Sequence, residues 1–373
     1  MKKIKKGSRN RQVSKGLTFV ILIVIGGFIG FFARLFGSGL FTNVSIGTLF
    51  LGWLVLVAFS VLGVIVHEFG HLVFGLATGY KFSLFRLASF AWFKEDGKIK
   101  FTISKNIAAG QCVLAPPEDF GNFKFILYNL GGVLAQFILC KILLVFIVIL
   151  PAESSLRTVF LLGIVINVGI ILLNLIPIKS LEAPNDGANI VEALKSKDAT
   201  YALYMMFYIH DQLMNGKTIS DFPLSKFELN EDADLGNYLI AYIIILRVSW
   251  FMGNGEYEKA LAEYLRLDLE KLPNYYRDAV MMDLVYLYTV YVPDHKKARS
   301  LYNDKRLKAK WKMKFPHTLR RLAAYHYFVL EEKQLAIKLL ESAKAAAAAL
   351  PNKGNKQLEM MEITKFKNKL NSP

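Results

Sequence analysis

IGTLFLGWLVLVAFSVLGVIVHEFGHLVFGLATGY, residues Ile46 to Tyr80, decides the architecture. Between Leu35 and Tyr80 the only formally charged side chain is Glu68. Roughly 20 apolar residues suffice to cross a hydrocarbon core of ~30 Å, so the segment reads as a membrane helix that starts near Ile46 and continues past His71. A Glu and two His in such a helix are costly to desolvate, and residues of this kind are functional by default unless they satisfy one another.

Working outward, Leu17 to Ala33 is another uncharged run, closed by Arg34, which nearly covers the same core at ~1.5 Å per residue. It is long for the apolar region of a cleaved signal peptide, and Phe32-Ala33-Arg34 is a poor cleavage site. A third run extends from about Phe125 to Leu150; Lys141 interrupts it late enough for its stem to snorkel outward. A fourth covers Val159 to Ile178 and stops at Lys179. The apolar residues, 54% of the 373, crowd into the first half and raise the mean hydropathy to +0.34. After about residue 190 the composition is that of a water-soluble protein.

The N-terminus carries Lys2, Lys3, Lys5, Lys6, Arg9, Arg11 and Lys15, whereas the loop from Gly37 to Ser45 carries no charge. The Lys/Arg bias therefore places the N-terminus in the cytoplasm. Four crossings then put Lys81 to Lys124 and everything after Lys179 inside as well. The net charge of +16 fits attraction to an anionic inner leaflet, and no nucleic-acid-binding motif accompanies it. The two cysteines, Cys112 and Cys140, show no CxxC spacing, so neither a disulfide framework nor a cysteine zinc site is expected.

His67-Glu68-Phe69-Gly70-His71 is an HExxH sequence. On a helix positions i and i+4 share a face, so both imidazoles can bind one cation. Two imidazoles and a carboxylate suit Zn2+, with a fourth position open for water. Glu68 is placed to take a proton from such a water and pass it on to a leaving amine. The remaining carboxylate is expected from Asp186, which follows Asn174-Leu175-Ile176-Pro177 and Asn185. By the topology above it lies at the same bilayer level as His67 and His71. Pro177 can break the helix and Gly187 permits a close turn, although an Asp-Gly pair alone marks only a turn.

On these residues, from Gly47 to about Ile190, the chain resembles the site-2 protease family of intramembrane zinc metalloproteases. Members pair HExxH in one membrane helix with N-x-x-P and a following L-D-G in another. The resemblance implies that His67, His71 and Asp186 bind zinc, that Glu68 is the catalytic acid and base, and that Asn174 positions substrate. Two departures are visible: Asn185 replaces the family's Leu, and Gly131-Gly132-Val133-Leu134-Ala135-Gln136 only approximates a G-P-x-x-N segment. Gln136 can stand in for the missing Asn as a substrate-positioning amide, while Asn174 has an alternative reading as a helix-packing amide.

Glu95-Asp96-Gly97-Lys98 lies between Phe82 to Phe93 and Ile99 to Ile103, a hairpin pattern. In the resembling family, strands after the HExxH helix dip toward the site and can pair with an unwound substrate, exposing the amide to be cut. Cys112 reads as a packing residue, with a resting-state ligand as its alternative.

From about Lys195 the chain reads as consecutive helices. Ala260, Ala298 and Ala336 recur 38 residues apart, and Gly255 to Leu267 is similar to the second half of a tetratricopeptide unit. Such stacked helix pairs make concave surfaces for protein partners, while scattered histidines (His210, His295, His317, His326) lack ligand spacing.

The expected fold class is therefore mostly α: a polytopic membrane bundle of about four spanning helices with a cytoplasmic β-hairpin, then a soluble repeat-like helical domain. The expected divisions are a basic N-terminus (1–16), a membrane metalloprotease domain (17–190) and a helical domain (191–373). The expected function is zinc-dependent hydrolysis of peptide bonds in or next to membrane segments of substrate proteins or signal-peptide remnants, in the cell membrane, with a bacterial setting implied by the resemblance alone. The competing readings are a non-catalytic membrane adaptor, for which Glu68 would be superfluous, and a proton-coupled transporter, for which paired inverted halves are missing.

Overall fold

Three helices of the computed structural model are long and apolar enough to cross a membrane: α1 (Ile46–Ala77), α2 (Phe125–Ile149) and α3 (Ser155–Leu175). The structure describes residues 46–179, 184–350 and 353–370. The first expected crossing, Leu17 to Ala33, and the basic N-terminus lie outside the described residues, so three spans are in view rather than four. In hydrocarbon every backbone N–H and C=O must find a partner within its own segment, which makes helices of these runs. Their side chains point largely outward: Leu51 is 62% exposed, Phe69 55% and Val148 72%, surfaces that water would oppose and lipid accepts. The last expected span, Val159 to Ile178, is displaced toward the N-terminus and ends at Leu175. Pro177 disfavours the helical conformation at Ile176 just before it.

The expected hairpin is present and longer than its apolar runs suggest. β1 (Lys81–Glu95) pairs antiparallel with β2 (Lys98–Ala115), Phe90 opposite Ile103 and Glu95 opposite Lys98. Asp96 and Gly97 both have positive φ, 51° and 76°, the condition for the two-residue turn that matches strand twist.

Beyond Lys179 the chain is helical: α4 (Asp186–Ala193), α5 (Lys197–Met214), α6 (Tyr238–Gly253), α7 (Tyr257–Leu265), α8 (Asn274–Val290), α9 (His295–Tyr302), α10 (Pro316–Phe328), α11 (Lys333–Ala348) and α12 (Lys353–Leu370). The repeat seen in the sequence falls into register here. Ala260, Ala298 and Ala336 are each the fourth residue of a helix, α7, α9 and α11, and each is fully buried. A methyl side chain at that point lets the paired helix approach closely, which is why alanine recurs there.

The chain divides into two compact units. In the described part of the first, Met1–Leu62 with Leu143–Ile166, the Phe146 and Phe160 rings meet at a tilt with centroids 5.4 Å apart, and Phe59 lies over Gly163. The second, Gly63–Ile142 with Asn167–Pro373, holds the hairpin, the C-terminal parts of α1 and α3, most of α2 and all the later helices. Its core is continuous: Tyr80, Cys112, Leu114, Phe123 and Tyr128 join Leu203, Tyr204 and Phe207 of α5. Tyr128 meets Phe207 edge to face with ring centroids 5.1 Å apart, a geometry aromatic pairs favour.

Candidate metal centre

His67 and His71 sit one turn apart on α1, both nearly buried, with their Nε2 atoms 3.1 Å from each other. Asp186, the first residue of α4, places Oδ2 3.1 Å from His67 Nε2 and 3.2 Å from His71 Nε2. The opposite edges of both rings are engaged. His71 Nδ1 lies 2.8 Å from the Tyr128 carbonyl, which can only accept, so this ring carries its proton on Nδ1 and leaves Nε2 bare. His67 Nδ1 lies 3.2 Å from Gln136 Oε1 in the same sense.

Three lone-pair donors therefore converge in a triangle with edges of 3.1 to 3.2 Å. Such a cluster is repulsive unless a cation or an added proton occupies its centre. Tetrahedral zinc with bonds of ~2.0–2.1 Å spaces its ligands roughly 3.3–3.4 Å apart, so the residues fit the metal with small adjustment. This is the one His/Cys/Asp/Glu group among the described residues able to hold a metal ion. Burial alone would raise the Asp186 carboxyl; with a proton added at Nε2 in the metal-free site, the His71 charge and the hydrogen bonding outweigh it and hold the group below the ordinary carboxylate range.

Small residues bring these elements together. A Cβ on Gly70, inside the HExxH sequence, would stand 2.3 Å from the Gly131 carbonyl oxygen, and one on Gly131 would stand 2.7 Å from that of Gly70. The backbones of α1 and α2 thus touch, as small residues permit between membrane helices. One residue on, a Cβ on Gly132 would lie 2.5 Å from the His67 ring. One turn further along α2, the fully buried Gln136 reaches that same ring. Its amide faces a ligand rather than the cavity, the arrangement by which outer partners orient metal-binding histidines.

Asn185, where the resembling family has Leu, explains how Asp186 is aimed. Its Oδ1 accepts from the Ala188 N–H at 2.9 Å, capping α4, and from the Ile178 N–H at 3.1 Å. Its Nδ2 donates to the carbonyls of Leu173 at 2.5 Å and Ile176 at 2.7 Å. One side chain ties the broken end of α3 to the start of α4. Asparagine before a short helix is a cap signal, so this role could have been found in the sequence. Asn174 donates to the Ile170 carbonyl at 2.9 Å and also borders the cavity.

Glu68 stands outside the ligand triangle, and the hairpin fixes it from the other side. Its carboxylate accepts the backbone N–H of Cys112 and lies on Gly110, where a Cβ would come within 2.6 Å of Glu68 Cγ. Burial pushes the Cys112 thiol up, and the Glu68 charge pushes the same way. A neutral thiol suits the packing role.

The four residues open into a cavity of about 630 Å³ that is also lined by Asn189 of α4 and by Met206 and Phe207 of α5. Sequence reasoning missed these three, because nothing local in a soluble-looking helix signals that it walls a cavity beside distant histidines. Comparison with protein-family models, with curated proteins and with solved structures finds no match for this chain.

Proposed function

We propose that the chain is an intramembrane zinc metalloprotease of the site-2 type, hydrolysing peptide bonds in or next to the membrane-spanning segments of its substrates. The observation that carries this reading is the convergence of His67 Nε2, His71 Nε2 and Asp186 Oδ2 beside a carboxylate, Glu68, that takes no part in the triangle. A scaffold or a transporter has no need of that combination.

His67, His71 and Asp186 would hold the zinc, which supplies a Lewis acid that acidifies water and polarises the scissile carbonyl. Glu68 accepts the proton released by the attacking water and returns it to the leaving amine, a pairing of roles typically worth 10²–10⁴ in rate. The Cys112 N–H and the bare Cα of Gly110 hold the Glu68 carboxylate in place. Gln136 and the Tyr128 carbonyl keep the two rings in the tautomer that presents Nε2. The Leu, Val and Phe side chains that cover the outer surface of the spans support a site at membrane depth, and the basic segments would then face the cytoplasm.

The test is metal content and cleavage by detergent-purified full-length protein. About one zinc per chain, cleavage of a single-span substrate, abolition by a chelator and recovery on adding zinc back are the expected results. Protein that takes up no zinc when supplied with it would overturn the site and favour the adaptor reading.

Two substitutions sharpen this. Gln136→Ala should weaken zinc binding by ~10–100-fold, the usual cost of losing an outer partner, and Asp186→Asn should weaken it more, both read by competition with a chromophoric chelator. Gly110→Ala should leave zinc binding at the wild-type level and lower kcat by about 10² or more, because its methyl group and the Glu68 carboxylate cannot share the space. Equal kcat for Gly110→Ala and wild type would show that the strand does not set the Glu68 position.

A further inference from the structure

The cavity beside the ligand triangle presents an amide whose orientation is fixed from outside it. Asn189 lies three residues after Asp186 on α4, so the two side chains are neighbours on one helix face, and both line the cavity. Its Oδ1 is 2.7 Å from the hydroxyl of Tyr238, which is 1% exposed and belongs to α6. A tyrosine hydroxyl has one proton to give. Donation to Oδ1 turns the two N–H groups of Nδ2 away from Tyr238, and no acceptor for them is found among the described residues. Across the same cavity Asn174 has the opposite arrangement: its Nδ2 is committed to the Ile170 carbonyl, which leaves Oδ1 as an acceptor. One donor and one acceptor, both uncharged, are what an extended peptide backbone requires.

We propose that Asn189 is a substrate-binding residue that donates a hydrogen bond from Nδ2 to a main-chain carbonyl oxygen of the unwound substrate segment, with Tyr238 as its positioning residue. The proposal rests on the protease reading and adds to it a contact to the substrate backbone that neither the HExxH sequence nor the Asp-Gly pair supplies. It also gives the helical region a part in recognition, because α6 sets the amide that the substrate meets. Backbone rather than side-chain contact makes the enzyme tolerant of sequence and selective for segments that unwind.

The experiment compares full-length wild type, Asn189→Ala, Tyr238→Phe and Glu68→Gln, reading zinc content and the kcat and KM for one single-span substrate. A hydrogen bond to substrate is worth about tenfold, and up to 10²–10³ in kcat if the carbonyl is the one that develops charge. Asn189→Ala should therefore lose tenfold or more in kcat/KM with a full complement of zinc. Tyr238→Phe, which keeps the ring and frees the amide to rotate, should lose less, in the same parameter. Wild-type kcat/KM in Asn189→Ala overturns the assignment, and so does a loss that merely follows loss of zinc, since that marks a structural role. Failure of the protease reading looks different: zinc-loaded wild type would then cleave no faster than Glu68→Gln, and the assignment would fall with it.

Discussion

Glu68→Gln binds zinc as wild type does and cleaves at no more than about one-thousandth of the wild-type kcat, the loss expected when a group that both accepts and returns a proton is removed. The amide matches the carboxylate in size and can still accept the Cys112 N–H, so the cavity keeps its shape. It cannot take a proton at any pH at which the protein is folded. Because Glu68 is absent from the ligand triangle, zinc stoichiometry and affinity should not change. Metal analysis and single-turnover cleavage on the same preparation separate the two effects. If the substitution acts on the transition state alone, kcat and kcat/KM fall together while substrate affinity holds. Retention of more than a tenth of the activity would assign the base elsewhere and leave Glu68 as a polar neighbour of the metal.

How far the site was legible depends on the range of each interaction. HExxH is a local signal, since the helix alone brings His67 and His71 to one face, and the structure puts their Nε2 atoms 3.1 Å apart. Asp186 stands 115 residues or more from either histidine in the sequence, and only the break at Pro177 and the turn at Gly187 hinted at its return to the metal. The hairpin turn was legible because Asp-Gly tolerates positive φ at both positions. Its reach to Glu68 was not, because a glycine whose Cβ would collide with a distant carboxylate looks like any other glycine. Likewise the buried alanines of α7, α9 and α11 announced a helical repeat, yet nothing in the sequence of α5 shows that Phe207 would meet Tyr128 edge to face. Periodicity reports which face of an element is apolar, and partners far apart in the sequence are chosen by shape.

Removing everything after Lys195 should therefore do more than delete a partner-binding appendage. Cys112, Leu114, Phe123 and Tyr128 share one core with Leu203, Tyr204 and Phe207, and each large apolar side chain stripped of its neighbours forfeits ~1.5–3 kcal/mol of burial. Several such losses together match the ~5–15 kcal/mol that typically separates a folded domain from its unfolded chain. Tyr128 matters most among them, because its carbonyl fixes the His71 tautomer and its ring rests on Phe207. The truncated chain should reach the membrane, since α1 to α3 are retained, but should elute as aggregate after detergent extraction and hold less than a tenth of the wild-type zinc. Phe207→Ala in the full-length chain should fall between the two, monodisperse with weakened zinc binding. A truncated chain that stays monodisperse and keeps its zinc would show that the spans and hairpin build the site unaided, and that α5 is a wall of the substrate cavity rather than a support of the metal.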